Sequence, residues 1–308
     1  MPHVVFLGTP VFAVATLEAL HSAGYEIPAV YTQPDRPKGR GQQTAFSPVK
    51  ESALKLGLAV KQPERVRRPE IVEELSAMNA DVMVVVGYGQ IIPQTIIDLP
   101  RCGILNVHAS LLPQYRGAAP IQWAIANGET VTGVTIMQID AGLDTGPMIC
   151  AGQTSIGPEE TAPELSERLA AMGARLLVET LANLPATLTP QDSSLATLAP
   201  ILKKEDGRID WSQPAQVISC RLRGFTPWPG AFTMFRGEPM KVIRARAADQ
   251  PFQLAQGALL AQRRKLFVGC GNSTLLELLE VQMEGRKKIA AEAFLNGFRP
   301  LDNELIGG

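Results

Sequence analysis

Cysteine is scarce in this sequence: four residues in 308, Cys102, Cys150, Cys220 and Cys270. They lie far apart, with no C-x-x-C pair and no nearby histidine, which argues against a disulfide framework and against the common zinc patterns. Reduced thiols and no bound metal are expected. Long hydrophobic runs are missing too. No stretch approaches the roughly 18 to 20 apolar residues that span a bilayer, so no membrane role is expected. Met1 to Gly8 runs straight into an apolar, strand-like segment, with neither a basic n-region before an apolar core nor an Arg/Ser-rich leader. These absences together predict a cytoplasmic protein.

What is present is an ordinary globular composition, 45% hydrophobic and 19% charged, in a chain long enough to bury a large core and to form two domains. Net charge is −1, but it is unevenly placed. Residues 1–199 carry 13 basic and 19 acidic side chains, and residues 200–308 carry 16 and 11. A basic C-terminal part faces either a polyanion or solvent.

The first 185 residues alternate short apolar runs with helical patterns: strands at 3–8, 29–33, 58–62, 81–87, 104–108 and 133–139, helices at 11–23, 48–56, 69–78 and 120–126. That alternation predicts βαβ units around a mainly parallel, Rossmann-like sheet with helices on both faces. A further helix is announced by the pair Thr161 and Glu164, with Leu165, Leu169, Met172 and Leu176 on one face. From Pro185 to about Ala199 the composition shifts to Pro, Thr, Ser and Ala without periodicity, which reads as a linker. Beyond it, short turn-punctuated runs at 231–235, 240–245, 258–262, 266–269 and 275–281, then a helical piece at 289–296, predict a small OB-like β-barrel. The expected division is a catalytic domain at 1–187, a linker at 188–206 and a C-terminal domain at 207–308.

Gly8-Thr9-Pro10 stands where a dinucleotide fingerprint would sit, but the second and third glycines are absent, which disfavours an NAD-dependent oxidoreductase. Gly87-Tyr88-Gly89 reads equally as a structural turn or as backbone that a flat ligand can approach. The loop from Pro34 to Gln43 exceeds the usual connection of about 2 to 6 residues. With Arg36, Lys38 and Arg40 it reads as an anion-seeking arm or as a solvated loop.

The strongest constellation is Asn106-Val107-His108, followed by Ser110-Leu111-Leu112-Pro113-Gln114-Tyr115-Arg116-Gly117. Strand alternation puts Asn106 and His108 on one face, at the carboxyl end of a strand where open α/β sheets bind ligands. Asp144 follows in the Gly-rich run Asp140-Ala141-Gly142-Leu143-Asp144-Thr145-Gly146-Pro147, where it is a third polar partner or a turn cap. The N-V-H, S-L-L-P-x-x-x-G and D-x-G-x-D-T-G segments together resemble the folate-dependent formyltransferases. The likeness extends over essentially the full chain, through the Gln33-Pro34-Asp35-Arg36-Pro37 loop, Lys204-Glu205-Asp206 to Trp211, and Arg223-Gly224-Phe225-Thr226-Pro227-Trp228-Pro229-Gly230.

That resemblance implies 10-formyltetrahydrofolate as co-substrate, seated along Val86, Gly87, Tyr88, Gly89 and Ile91 and against Ser110, Leu111, Leu112 and Pro113. It implies methionyl-initiator tRNA as acceptor, with Arg40 at the position that reads a weak first pair of the acceptor stem. Formyl transfer needs a donor for a developing oxyanion and a route for a proton. Asn106 suits the first need. His108 suits either, and Asp144 would orient it and hold a relaying water. Salt-sensitive backbone contact falls to Arg36, Lys38, Lys204, Lys241, Arg244, Arg246, Arg263, Arg264, Lys265, Arg286, Lys287 and Lys288. A monomer is expected. The alternatives are a formyltransferase for a nucleotide sugar or other small amine, and a non-catalytic RNA-binding module.

Overall fold

The computed structural model describes residues 1–38 and 43–307. These group into two compact bodies. The first comprises Met1–Pro120, Val131–Ser155 and Ser166–Pro200, the second Ile121–Thr130, Ile156–Leu165 and Ile201–Gly308. No composition shift marks the two short excursions.

In chain order the elements are β1 (Val4–Gly8), α1 (Val11–Ser22), β2 (Val30–Tyr31), β3 (Arg36–Lys38), β4 (Gln43–Ala45), α2 (Pro48–Lys55), β5 (Val60–Lys61), α3 (Pro69–Ala77) and β6 (Val82–Val86). Then come α4 (Gln94–Ile97), β7 (Ile104–His108), β8 (Arg116–Gly117), α5 (Pro120–Ala126), β9 (Val131–Gln138), β10 (Met148–Ser155), α6 (Ala162–Ala182) and β11 (Leu198–Ala199). The first body is built on a seven-stranded sheet ordered β10-β9-β7-β6-β1-β2-β5. From β7 to β5 the strands run parallel, and β9 and β10 are antiparallel additions. The sequences VVFLG, VMVVV and ILNVH are buried at every position, as strands covered on both faces must be. At the edge, β10 alternates between partly buried and exposed residues, a weaker apolar signal that explains why no strand is expected there from sequence.

Helix boundaries follow local chemistry. Ser47 caps α2 by accepting from the Lys50 N–H at 3.1 Å, with Pro48 in the first helical position. Helix α6 starts within a residue of its predicted capping pair and buries Leu165, Leu169, Leu177 and Leu181. The chain runs from β1 to β2 on one side and returns to β6 on the other, so the topological switch lies between β1 and β6. Gly8 pairs with Val86 there, and ligand sites of open α/β sheets lie outside the carboxyl ends of strands at such a switch.

The stretch beyond Pro185, expected to be an extended linker, is instead fastened to the first body through Pro200. β11 pairs with β8, Thr189 and Met148 exchange backbone hydrogen bonds, and Ala119 donates to Ala199. Polar and backbone groups make these contacts, so hydrophobic periodicity gives no warning of them.

The second body adds α7 (Ala215–Gly224), β12 (Ala231–Phe235), β13 (Glu238–Ala248), β14 (Leu259–Gln262), β15 (Lys265–Gly269), β16 (Leu275–Met283), β17 (Ile289–Ala290) and α8 (Ala291–Phe298). Its sheet is antiparallel, ordered β12-β13-β16-β15-β14, with β17 on β16. Phe235 and Phe294 meet edge-on in its core beside Met240, Leu266 and Val281, and the partly buried Phe298 stacks on Phe294. Helix α7 is not foreseen, although Ala215, Ile218 and Leu222 are buried at helical spacing. Among the described residues no helix is long and apolar enough to cross a membrane.

Gly133, in β9, lies against the neighbouring β10 backbone. A Cβ at that position would stand 2.1 Å from the Gly152 carbonyl oxygen and 2.6 Å from Leu111 Cδ2. Gly133→Ala is expected to destabilise the protein by about 1–3 kcal/mol, the usual cost of overpacking, read as a lower urea midpoint at unchanged m-value.

Candidate active site

Asn106 and His108 stand on one face of β7, both buried, at 9% and 5% exposure. The strand is locked from both sides, by parallel β6 at Asn106 and by antiparallel β9 at Met137 and Thr135. This rigid support holds two polar side chains at the end of an otherwise apolar strand. The chain after β7 turns back over them. Thr135 ties that loop to the sheet: its hydroxyl donates to the Ser110 carbonyl at 2.7 Å and accepts from Leu112 N–H at 3.1 Å. The loop returns at Tyr115, whose φ is +59°.

Asp144 meets these residues from its own loop. Its Oδ2 accepts from the Gly117 N–H at 2.9 Å and lies 3.7 Å from His108 Nδ1. Its Oδ1 lies 3.4 Å from Asn106 Nδ2. One carboxylate therefore sits between the amide and the imidazole. The distance to His108 exceeds hydrogen-bond reach, and contacts of this kind tighten when substrate is bound. The other ring nitrogen fixes the tautomer of the neutral ring. Nε2 is 3.0 Å from the Tyr115 carbonyl oxygen, which only accepts, so Nε2 carries a hydrogen. In the neutral ring Nδ1 is then a free lone pair beside a carboxylate, a place suited to receive a proton.

The glycine turn after β6 adjoins this site, because β6 and β7 are neighbours in the sheet. Gly87 and Gly89 have φ of +56° and +85°. The Tyr88 carbonyl accepts from Thr9 Oγ1 at 3.0 Å and from Gln33 Nε2 at 3.1 Å, so the turn is braced from β1 and from the chain after β2. The Tyr88 side chain points into the core, where burial pushes its phenol up to about 12. Val86 is also fully buried. Both residues therefore offer a ligand only backbone, while Ile91 is 91% exposed and offers its side chain. Ser110 is buried with its hydroxyl donating to the Gln114 carbonyl at 2.6 Å. Leu111 and Pro113 keep partial exposure, and Leu112 is buried.

The cationic loop is rooted by a polar cluster. Lys50 pairs with Asp35 and donates to Gln62, and Gln62 donates to Asp35 Oδ1 at 2.8 Å. The Lys50 and Gln62 hydrogen bonds hold the Asp35 carboxyl below its usual range. Arg36 is exposed, only the backbone of Lys38 is described, and Arg40 lies outside the described residues. In the second body Lys204, Lys241, Arg244, Arg263, Arg264, Arg286, Lys287 and Lys288 are all exposed. Arg263 and Arg264 form the β14–β15 turn with φ of +50° and +64°. Arg246 on β13 and Lys265 on β15 both reach Glu277 on β16, at 2.9 and 3.3 Å. Arg264 and Lys288 reach Glu292 and Glu280. Glu277 is buried, whereas the Arg264–Glu292 pair is exposed on both sides and therefore weak, which leaves Arg264 available to an anionic ligand. Among the described residues no group of three or more His, Cys, Asp and Glu side chains gathers as metal ligands.

Sequence reasoning misses several supports of the site. Thr135 is an ordinary strand threonine, and Gln191 and Thr197 lie in the aperiodic stretch read as a linker. Only their contacts reveal them: Gln191 reaches Arg116 and the Asp144 loop, and Thr197 Oγ1 accepts from Tyr115 N–H at 2.8 Å.

The chain also matches known proteins along most of its length. The family model described as formyl transferase matches residues 2–181, and that of the formyl transferase C-terminal domain matches residues 201–299. The methionyl-tRNA formyltransferase of Solibacter usitatus is 62% identical over 99% of this chain and 98% of its own. That of Koribacter versatilis is 56% identical over the same shares. Among solved structures, an N-formyltransferase from Helicobacter canadensis superposes with a TM-score of 0.67 at 17% identity, covering 92% of this chain and all of the other. That crystal holds folinic acid and dTDP-3-aminofucose, and at this identity the likeness concerns the fold. With both domain models matched and relatives this similar along its whole length, the chain belongs to the methionyl-tRNA formyltransferase family of formyl transferases.

Proposed function

We propose that this chain transfers the formyl group of 10-formyltetrahydrofolate to the free amino group of methionyl-initiator tRNA, giving N-formylmethionyl-tRNA for translation initiation. The convergence of Asn106, His108 and Asp144 on one point at the end of β7, one strand from the switch of the sheet, carries the chemistry. Relatives named for this acceptor and matched over 99% of the chain support the choice of substrate. The enzyme works in the cytoplasm as a monomer. Catalysis belongs to the body built on the seven-stranded sheet, to which the chain through Pro200 is fastened, and residues 207–308 grip the tRNA backbone.

The folate lies along the turn from Val86 to Ile91 and against residues 110–113, where glycine backbone and the exposed Ile91 admit a flat ring. The amine attacks the formyl carbon, its new C–N bond replacing the one to the folate nitrogen. Asn106 has a second amide hydrogen beyond the one facing Asp144, and it donates to the oxygen as charge develops there. The proton lost by the amine passes to His108 Nδ1, balanced by the Asp144 carboxylate, and then to the leaving nitrogen, directly or through water. The Ser110 hydroxyl is engaged with a backbone carbonyl, so transfer is direct, without a formyl-enzyme. Backbone contact by Arg36, Lys38, Lys204, Lys241, Arg244, Arg263, Arg264, Arg286, Lys287 and Lys288 makes binding salt-sensitive, and Arg40 reads the end of the acceptor stem.

The deciding measurement is incubation with 10-formyltetrahydrofolate and charged initiator tRNA, scored as formyl-Met-tRNA. Formylation only of amino sugars would transfer the reading to the small-amine branch. Asn106→Ala and Asp144→Ala are each expected to lower kcat by on the order of 10²-fold or more while tRNA binding persists, since one oxyanion donor is commonly worth that much. Turnover near normal in either variant removes it from the mechanism. Arg40→Leu is expected to slow transfer to initiator tRNA without lowering Tm, and an unchanged rate takes that residue out of acceptor recognition.

A further inference from the structure

The segment after α6 reaches the catalytic loop through one side chain. Gln191 Oε1 accepts from Arg116 Nε at 3.0 Å and from a terminal guanidinium nitrogen at 2.7 Å. Its Nε2 donates to the Asp144 carbonyl at 2.9 Å and to the Gly146 carbonyl at 2.7 Å. Arginine only donates and carbonyls only accept, so the amide has a single satisfactory orientation, with both of its hydrogens in use. Arg116 is itself buried at 7% exposure, and its backbone N–H is held by Thr197.

Asp144 needs such a hold. Its φ is +51°, a left-handed conformation that a non-glycine residue keeps only where its surroundings over-determine it. Two contacts do so. Gly117 N–H fixes the carboxylate, and Gln191 fixes the carbonyl of the same residue. Arg116 precedes Gly117 in the chain, so Gln191 connects the loop that donates to Asp144 with the loop that carries it. We infer that Gln191 is a positioning residue for formyl transfer, setting the Asp144 carboxylate between Asn106 and His108 while touching no substrate. The inference rests on the role proposed above for Asp144.

Gln191→Glu separates placement from folding. It keeps the shape and the bond to Arg116, now as an ion pair, but turns an acceptor oxygen toward two carbonyls that need donors. The variant is expected to stay folded at assay temperature, with a Tm lower by a few degrees, and to keep the KM for both substrates. Its kcat should fall on the order of 10-fold or more, as ångström-scale misplacement of a catalytic group does. Gln191→Ala, which adds no charge, should also lose kcat, and adding it to Asp144→Ala should cost nothing further, because the two act through one group. Normal kcat in Gln191→Glu while Asp144→Ala is inactive overturns this inference alone. Losses that multiply in the double variant also overturn it, since Gln191 would then act independently of Asp144. Normal kcat in Asp144→Ala defeats the mechanism above instead.

Discussion

The site depends on one carboxylate held where two strand-borne side chains meet. Asn106 and His108 cannot move, because β7 is paired on both sides and buried on both faces. Asp144 comes from a loop, and a loop residue has no such support of its own. Its place is secured by hydrogen bonds from elsewhere in the chain: the Gly117 N–H on its carboxylate and the Gln191 amide on its carbonyl. The left-handed backbone at Asp144 costs of order 1–3 kcal/mol. Strain of that size persists at a functional loop only where several contacts oppose it.

The sheet supplies the location. Parallel strands β1, β6 and β7 end together, and the chain reverses direction across the sheet between β1 and β6. Peptide groups beyond those ends lack strand partners, so they are free to face a ligand. Here they are organised by glycines at 87 and 89, and by Thr9 and Gln33 on the Tyr88 carbonyl. The result is a braced backbone edge next to the Asn106 and His108 side chains. The C-terminal body carries exposed cations on the β14–β15 turn and along β13, some of them paired with the exposed Glu292 or the buried, shared Glu277. That arrangement suits a long anionic ligand held by many weak contacts more than a small one held by a few strong ones.

Much of this is written in local chemistry. The all-buried strands are continuous apolar runs, β7 and β12 fall on the predicted residues, and Asn106 and His108 share a face by simple alternation. Other features follow no local rule. Tyr88 sits in the predicted ligand turn, yet its ring serves the core. The stretch from Pro185 to Ala199 has a linker's composition, yet it is pinned to the first body by backbone and amide contacts. Helix α7 was hidden among turn residues although its buried positions keep helical spacing.

The sequence by itself determined the alternation of strands and helices and the polar pair on β7, and it left Asp144 as a third polar partner or a turn cap. Each of these depends on residue type and on spacing within a few positions. Tertiary structure alone decided how Asp144 meets that pair, which His108 nitrogen faces it, and that Gln191, 47 residues further along the chain, holds it there. Those outcomes depend on hydrogen bonds between groups distant in the chain. Such bonds need direction and distance to form, and neither is encoded in periodicity.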